Sequence, residues 1–178
     1  GVSKENRPLP IVEMGLFMDR DGIPLAFCIN PGNKKEQQSL IPLEKTLLEK
    51  FDMSQFIVCT DAGLSSNSNR IFNTYSKEEG TRDFITTQSV KKLKKTYKNW
   101  ALSPEGWYCY GESISSKYNL ENLDEEKDLE KTYYKSRWIK EKVDITIDGV
   151  KKKVELEQQL IVTYSIKYRN YLRSTRNQ

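Results

Sequence analysis

Residues 55–66, QFIVCTDAGLSS, decide how this chain is read. Phe56-Ile57-Val58-Cys59 is a short apolar run, the pattern of a buried strand. It ends on Thr60-Asp61. Turn-prone Ala62-Gly63 follows, then a Ser/Asn-rich segment that predicts the start of a helix. A carboxylate at the carboxyl end of a buried strand, followed by Gly, is where α/β folds commonly put catalytic or metal-binding groups. The same Asp is also an ordinary turn former or helix cap. Asp61 is therefore a candidate whose role depends on its surroundings.

Upstream, residues 11–18, IVEMGLFM, and 23–30, IPLAFCIN, read as two strands joined by Asp19-Arg20-Asp21-Gly22. Asp-Gly between apolar runs is a hairpin signal. Asp19 and Asp21 are accordingly turn formers and not metal ligands. Pro31-Gly32-Asn33 breaks the second strand. Leu40, Leu43, Leu47, Leu48 and Phe51 then form a helical stripe over residues 36–51, with Pro42 tolerable in a first turn. Glu44, Lys45, Glu49 and Lys50 read as the solvated face of that helix. Residues 1–10 read as an irregular lead-in.

Downstream, residues 65–75 predict a helix packing Ile71, Phe72 and Tyr75, with Gly80 closing the unit. Residues 83–87, DFITT, predict a strand. Residues 90–102, VKKLKKTYKNWAL, predict a strongly basic helix. Lys91, Lys92, Lys94, Lys95 and Lys98 surround its apolar face, either as a solvated surface or as a contact for a phosphate backbone.

Residues 103–132 are polar and acidic towards their end, and predict an exposed, poorly ordered connection. Strand-like runs return over residues 133–143, 144–147, 150–156 and 160–164, with a second hairpin signal at Asp148-Gly149 between the second and third. Residues 168–176 predict a basic helix. The expected division is an α/β core over 1–102, a connection over 103–132 and a β-rich subdomain over 133–178. Trp138, Tyr133, Tyr134 and Tyr164 read first as the core of that subdomain and second as surfaces for stacking bases.

Composition narrows the chemistry. Histidine is absent, which removes Ser-His and Cys-His nucleophiles and His-ligated zinc. Cys28, Cys59 and Cys109 are scattered, an odd number with no CxxC; Cys28 and Cys59 sit in apolar runs and read as core residues in a reducing compartment. Lys and Arg exceed Asp and Glu by 29 to 25, a net charge of +4 that permits an anionic partner without demanding one. No run is long and apolar enough for a membrane span, and no leader-like segment opens the chain, so a cytoplasmic location is expected.

Three phrases carry a resemblance: MGLFMDRDGIPLAFCINPGNKKEQQSL (residues 14–40), IVCTDAGLSS (57–66) and FITTQSVKKLKK (84–95). In this order they resemble the catalytic domain of DDE-class insertion-sequence transposases, in the branch that carries a β-rich insertion. The resemblance covers residues 3–178. It implies a ribonuclease-H-like mixed sheet with flanking helices, and three carboxylates holding two Mg²⁺ ions that cut and join transposon-end DNA. It also implies DNA as partner and, in the parent protein, a dimer. Asp61 matches the second of the three carboxylates and is the expected metal ligand. The first Asp would precede the phrase matching SKENRPLP, ahead of residue 1. The third would be a Glu in a helix of pattern Y-x2-R-x3-E-x6-K. Tyr134, Arg137 and Glu141 match its first three positions, but Asp148 stands where Lys is required, and the segment alternates like a strand. No Glu follows Tyr164. The expectation is a chain truncated at both ends, holding one ligand of three and inactive by itself. The alternative is a DNA-binding remnant of a decayed mobile element, without chemistry.

Overall fold

The protein is described here by a computed structural model covering residues 12–51, 55–75, 81–147 and 149–176. It is a mixed α/β chain with small sheets and, among the described residues, four α-helices. The lead-in over residues 1–10, the stop at Gly80 and the turn residue Asp148 lie outside the described residues. The chain divides into two compact units. One comprises residues 1–89 and 143–154, the other residues 90–142 and 155–178. These differ from the three segments expected from the sequence: the basic segment after residue 89 joins the second unit, and the tip of the long hairpin is counted with the first.

In the first unit, β1 (Val12–Met18) pairs antiparallel with β2 (Pro24–Pro31). The turn between them forms as Asp19 dictates. Its Oδ1 accepts from the backbone N–H of Asp21 at 2.9 Å and of Ile23 at 2.8 Å. Gly22 takes φ 84°, where a side chain would be strained. Strand alternation gives this hairpin two unlike faces. Glu13, Gly15 and Phe17 are half-buried, while Val12, Met14, Leu16, Phe27 and Ile29 are exposed. Helix α1 (Leu40–Phe51) follows a short 3₁₀ turn at Glu36–Gln38. Pro42 falls in its first turn, where an N–H has no helical acceptor, so the ring costs nothing there. Leu40, Leu43 and Leu47 are buried as expected. Glu44 is not on the solvated face: it is fully buried, whereas Lys45, Glu49 and Lys50 are exposed.

Strand β3 (Gln55–Thr60) pairs parallel with β4 (Thr81–Thr86), and α2 (Asn67–Tyr75) lies between them in sequence and packs on β4. Parallel neighbours need such a crossover. Ser66 starts α2 by accepting from the N–H of Asn69 at 3.2 Å, an N-cap bond. The single mixed sheet expected from the resemblance is two separate two-stranded sheets among the described residues. Cys59, expected in the core, is exposed, because strand alternation turns it away from its buried neighbour Val58.

In the second unit the predicted basic helix is shorter. Val90–Lys92 is a 3₁₀ turn, and α3 runs over Lys95–Leu102. A three-stranded sheet has the order β5 (Tyr108–Cys109), β6 (Tyr133–Ile147), β7 (Val150–Tyr164). β6 and β7 are each one strand of 15 residues where sequence breaks suggest several shorter ones. Their ends away from the turn belong to the second unit.

The polar connection is not a loose loop. Trp107 and Cys109 lie in it and form a core with Tyr133, against which Tyr118, Leu120, Leu123, Val162 and Tyr164 pack. Trp107 and Tyr118 bridge their backbones, and Trp107 Nε1 donates to the Ser103 carbonyl at 2.9 Å. Two residues of its acidic run pair with α4 (Ile166–Arg176). Lys167 bonds Glu130 at 2.8 Å, and Arg169 bonds Glu125. No helix among the described residues is long and apolar enough to cross a membrane.

Candidate functional site

Asp61 leaves the end of β3 beside the end of β4. Thr60 and Thr86 are register partners, and their hydroxyls hydrogen-bond at 3.1 Å. The Thr86 hydroxyl also lies 3.1 Å from the Asp61 carbonyl oxygen, and the Thr87 N–H donates to Thr60 at 3.3 Å. Two parallel strand ends are thereby tied together under the loop that leads to α2.

The Asp61 side chain is exposed and folds back on its own turn. Its Oδ1 accepts from the N–H of Gly63 at 2.9 Å and of Leu64 at 3.3 Å. This is the turn-forming role, present in the structure. Gly63 leaves little room for a side chain. A Cβ there would lie 3.1 Å from Asp61 Oδ1 and 3.2 Å from Glu36 Oε2. Glu36, from the 3₁₀ turn ahead of α1, thus brings a second carboxylate against the same turn. Nothing in the local sequence announces it, because only the packing of residues 36–38 near the β3–α2 turn brings it there.

Beside this turn, between α2 and the strand ends, lies a cavity of about 10 Å³, close to the size of one water molecule. Thr60, Ser65, Asn69, Arg70, Asn73 and Thr86 supply its polar wall. Asn69 is buried and donates to the carbonyls of Leu64 at 2.9 Å and Gln37 at 3.1 Å, which holds the Asp61 loop and the 3₁₀ turn on α2. Asn73, one helical turn on, donates to both oxygens of Glu44 at 3.1 Å. Burial pushes the Glu44 carboxyl up to about 7, while the Asn73 hydrogen bond and the charge of Arg82 on β4 pull the other way. Arg82 itself lies over the Phe72 ring, 4.1 Å from its centroid.

The five candidate lysines belong to the second unit, and Asp61 to the first. Lys91 and Lys92 are exposed on the 3₁₀ turn, Lys95 is exposed at the start of α3, and Lys98 is half-buried. Lys94 is engaged: its Nζ lies 2.9 Å from Glu141 Oε1, and that partner raises its pKa. Glu141, one of the three residues that match a fragment of the third-carboxylate pattern, is thus the partner of Lys94 on strand β6.

The same unit holds a cation–aromatic stack that sequence pattern does not announce. Lys135 is buried, with Nζ 4.4 Å from the Trp107 centroid, 5.2 Å from that of Trp100, and 2.7 Å from the Ser103 carbonyl. Burial lowers its pKa. Exposed Arg137, two residues along β6, lies over Trp100 at 5.4 Å and Tyr97 at 5.6 Å. Of the aromatic residues considered for stacking, Tyr133 is core, Tyr134 and Tyr164 are half-buried, and Trp138 is 65% exposed.

Among the described residues no group of three or more His, Cys, Asp or Glu could hold a metal ion. No family model, curated protein or solved structure matches the chain.

Proposed function

We propose that this chain is the central part of the catalytic domain of a DDE-class DNA transposase, with a ribonuclease-H-like core and a β-rich insertion. The observation that carries this reading is the position of Asp61 at the carboxyl end of β3, in a parallel β3–β4 pair, after an antiparallel hairpin and a helix. Hairpin, helix, strand with carboxylate, helix, strand is the order that the resemblance implies. The long β6–β7 hairpin that follows supports the insertion. The apolar outer face of β1–β2 also supports it: a patch of this kind marks a contact surface, here for further parts of the same catalytic domain.

In the parent protein two Mg²⁺ ions would activate the attacking hydroxyl and stabilise the leaving oxygen. The described residues do not complete their site, so no cleavage step is assigned to this chain. Asp61 is one ligand of a set. Lys91, Lys92, Lys95 and Lys98 hold the DNA backbone by charge, while Lys94 is held back by Glu141. The DNA flanking the coding segment tests the reading. An Asp-bearing strand encoded upstream, and a helix of pattern Y-x2-R-x3-E-x6-K encoded downstream, are expected. Stop codons close to both sides would overturn it.

A second reading is a DNA-binding module without chemistry. It is favoured by the Asp61 carboxylate serving its own turn. Both readings expect duplex DNA binding that weakens with salt. Changing Lys91 and Lys92 to Ala should lower the steepness of the salt dependence by about one for each phosphate no longer neutralised. Binding that ignores salt, or the two lysines, would sink the lysine assignment. Mg²⁺-dependent nicking by this chain, lost in Asp61→Ala, would remove the second reading and show that the chain is active unaided.

A further inference from the structure

The small cavity beside the Asp61 loop is walled by acceptors whose neighbours have no hydrogens left to give. Asn73 is 1% exposed, and its Nδ2 donates to both Glu44 oxygens and to the Asn69 carbonyl, each at 3.1 Å. Three acceptors around the nitrogen fix which way the amide points, because a turned amide would set oxygen against oxygen. Its Oδ1 is buried and accepts from no protein donor. Asn73 lines the cavity and Glu44 does not, so the side of the amide away from Glu44 is the side that meets the cavity. The hydroxyls of the wall are committed as well. Thr86 donates to the Asp61 carbonyl and Thr60 donates to Thr86, each at 3.1 Å, while Ser65 donates to the Ala62 carbonyl at 2.9 Å. Asn69 commits its amide hydrogens to the Leu64 and Gln37 carbonyls. A hydroxyl has one hydrogen and two lone pairs. Thr60 and Ser65 therefore keep lone pairs to offer and no hydrogen.

We propose that this cavity is a binding site for one water molecule, which donates one hydrogen to Asn73 Oδ1 and the other to the Thr60 hydroxyl oxygen. Its volume, about 10 Å³, admits a single water-sized guest. The wall selects among such guests. An apolar guest would leave the buried Asn73 Oδ1 without a donor, which is costly. A metal or ammonium cation would suit the lone pairs, but it would share the cavity with the guanidinium of Arg70. Water carries no charge, donates two hydrogens and can accept from a guanidinium N–H. A bridging water is nearly as good as a direct hydrogen bond. Bound in this way it joins α2 to the end of β3, one residue before Asp61. The Asp61 loop is then held on α2 twice: directly, by Asn69 on the Leu64 carbonyl, and through the water, by Asn73 one helical turn further on. The site uses neither a metal nor DNA, so it stands or falls independently of the transposase reading.

A crystal structure of the full chain tests the site directly. One ordered water is expected within hydrogen-bond distance of both Asn73 Oδ1 and Thr60 Oγ1. Finding no water at Asn73 Oδ1, a protein donor in its place, or a cation in the cavity would each overturn the proposal. Val58→Ile supplies a second readout in solution, since Val58 lines the same cavity from β3 and the added methyl competes for the space. Oxygen-17 magnetic relaxation dispersion, which counts long-lived internal waters, should show one fewer in the variant. The urea midpoint should fall, because displacing the water leaves Asn73 Oδ1 without a donor. An unchanged dispersion profile would count against the water, and so would a raised midpoint, which is the mark of a dry cavity being filled. If Val58→Ile does not fold, the crystal structure of the unmutated chain decides alone.

Discussion

Each unit buries a charged side chain on a different kind of partner. Glu44 in the first unit is an anion enclosed between α1 and α2, offered an amide by Asn73 and a positive charge by Arg82. Lys135 in the second is a cation set between two indole faces, with one carbonyl acceptor. An aromatic face attracts a cation, so the second unit uses side chains that already build its core. An anion has no such partner. It needs dedicated donors, and both of its oxygens rest on the one amide of Asn73. Glu44 is consequently the more easily disturbed of the two.

The largest expected effect is a pH dependence of opposite sign in the two units. Glu44 ionises near 4.5 when unfolded and near 7 when folded. Between these values the folded state binds the extra proton, so stability is fully present below about 4.5 and falls as pH rises through about 7. The upper limit of this loss is about 3 kcal/mol, from about 1.4 kcal/mol per pKa unit. Lys135 has a lowered folded pKa. Above that value the unfolded state binds more protons, so its contribution improves as pH rises towards the ordinary lysine range. The three tryptophans, Trp100, Trp107 and Trp138, all belong to the second unit. Tryptophan fluorescence therefore follows that unit, and amide hydrogen exchange in α1 and α2 follows the first. A common pH trend in both probes would break the comparison.

Asn73→Ala should cost about 2–3 kcal/mol at pH 8, because it leaves a buried carboxylate without its donor. At pH 5 the cost should shrink, since a neutral Glu44 needs the donor less. Urea unfolding at both pH values measures the difference, and an equal loss at each would mean that Asn73 acts by packing alone. Lys135→Met should cost about 1 kcal/mol, less than Asn73→Ala. It keeps a flexible stem between Trp100 and Trp107 and forfeits the cation contact and one hydrogen bond. Fluorescence-monitored unfolding gives that value directly.

Much of the α/β order is legible in the sequence because it rests on local pattern. The 2.0 and 3.6 periods place β1, β2, α1 and α2, and Asp19 and Gly22 form the turn that their residue types require. Glu44 escapes such reading for a physical reason. The helical period puts position 44 on the leucine stripe, four residues after Leu40 and three before Leu47, but its charge argues for solvent, and the partner that allows its burial, Asn73, lies 29 residues away. The connection over residues 103–132 looks disordered because its composition is polar, while its few large residues, Trp107, Cys109 and Tyr118, carry the packing. Its acidic run reads as a reason for disorder; paired with α4 it anchors the segment. At the candidate site, the end of β3 and the turn at Asp61 follow from the sequence. The approach of Glu36 does not, since it is set by the fold of the first unit.

The smallest effect sharpens the contrast between buried Glu44 and exposed Asp61. Gly63 has no positive φ that would forbid a side chain, so Gly63→Ala is decided by crowding. Removing a glycine stiffens the unfolded chain and should stabilise by about 0.5 kcal/mol where there is room. Here the new methyl would meet Glu36 Oε2 at 3.2 Å and Asp61 Oδ1 at 3.1 Å. Asp61 Oδ1 cannot give way easily, because it is tied to the N–H groups of Gly63 and Leu64. Gly63→Ala alone should therefore destabilise by about 0.5 kcal/mol, an amount comparable to the gain it forfeits. In an Asp61→Ala background, which loses the turn bonds and removes the nearer of the two contacts, the same change should cost less. A double-mutant cycle in urea reads the coupling. If Gly63→Ala has the same effect in both backgrounds, the Asp61 carboxylate is not held in its turn, and both its oxygens are free for a ligand.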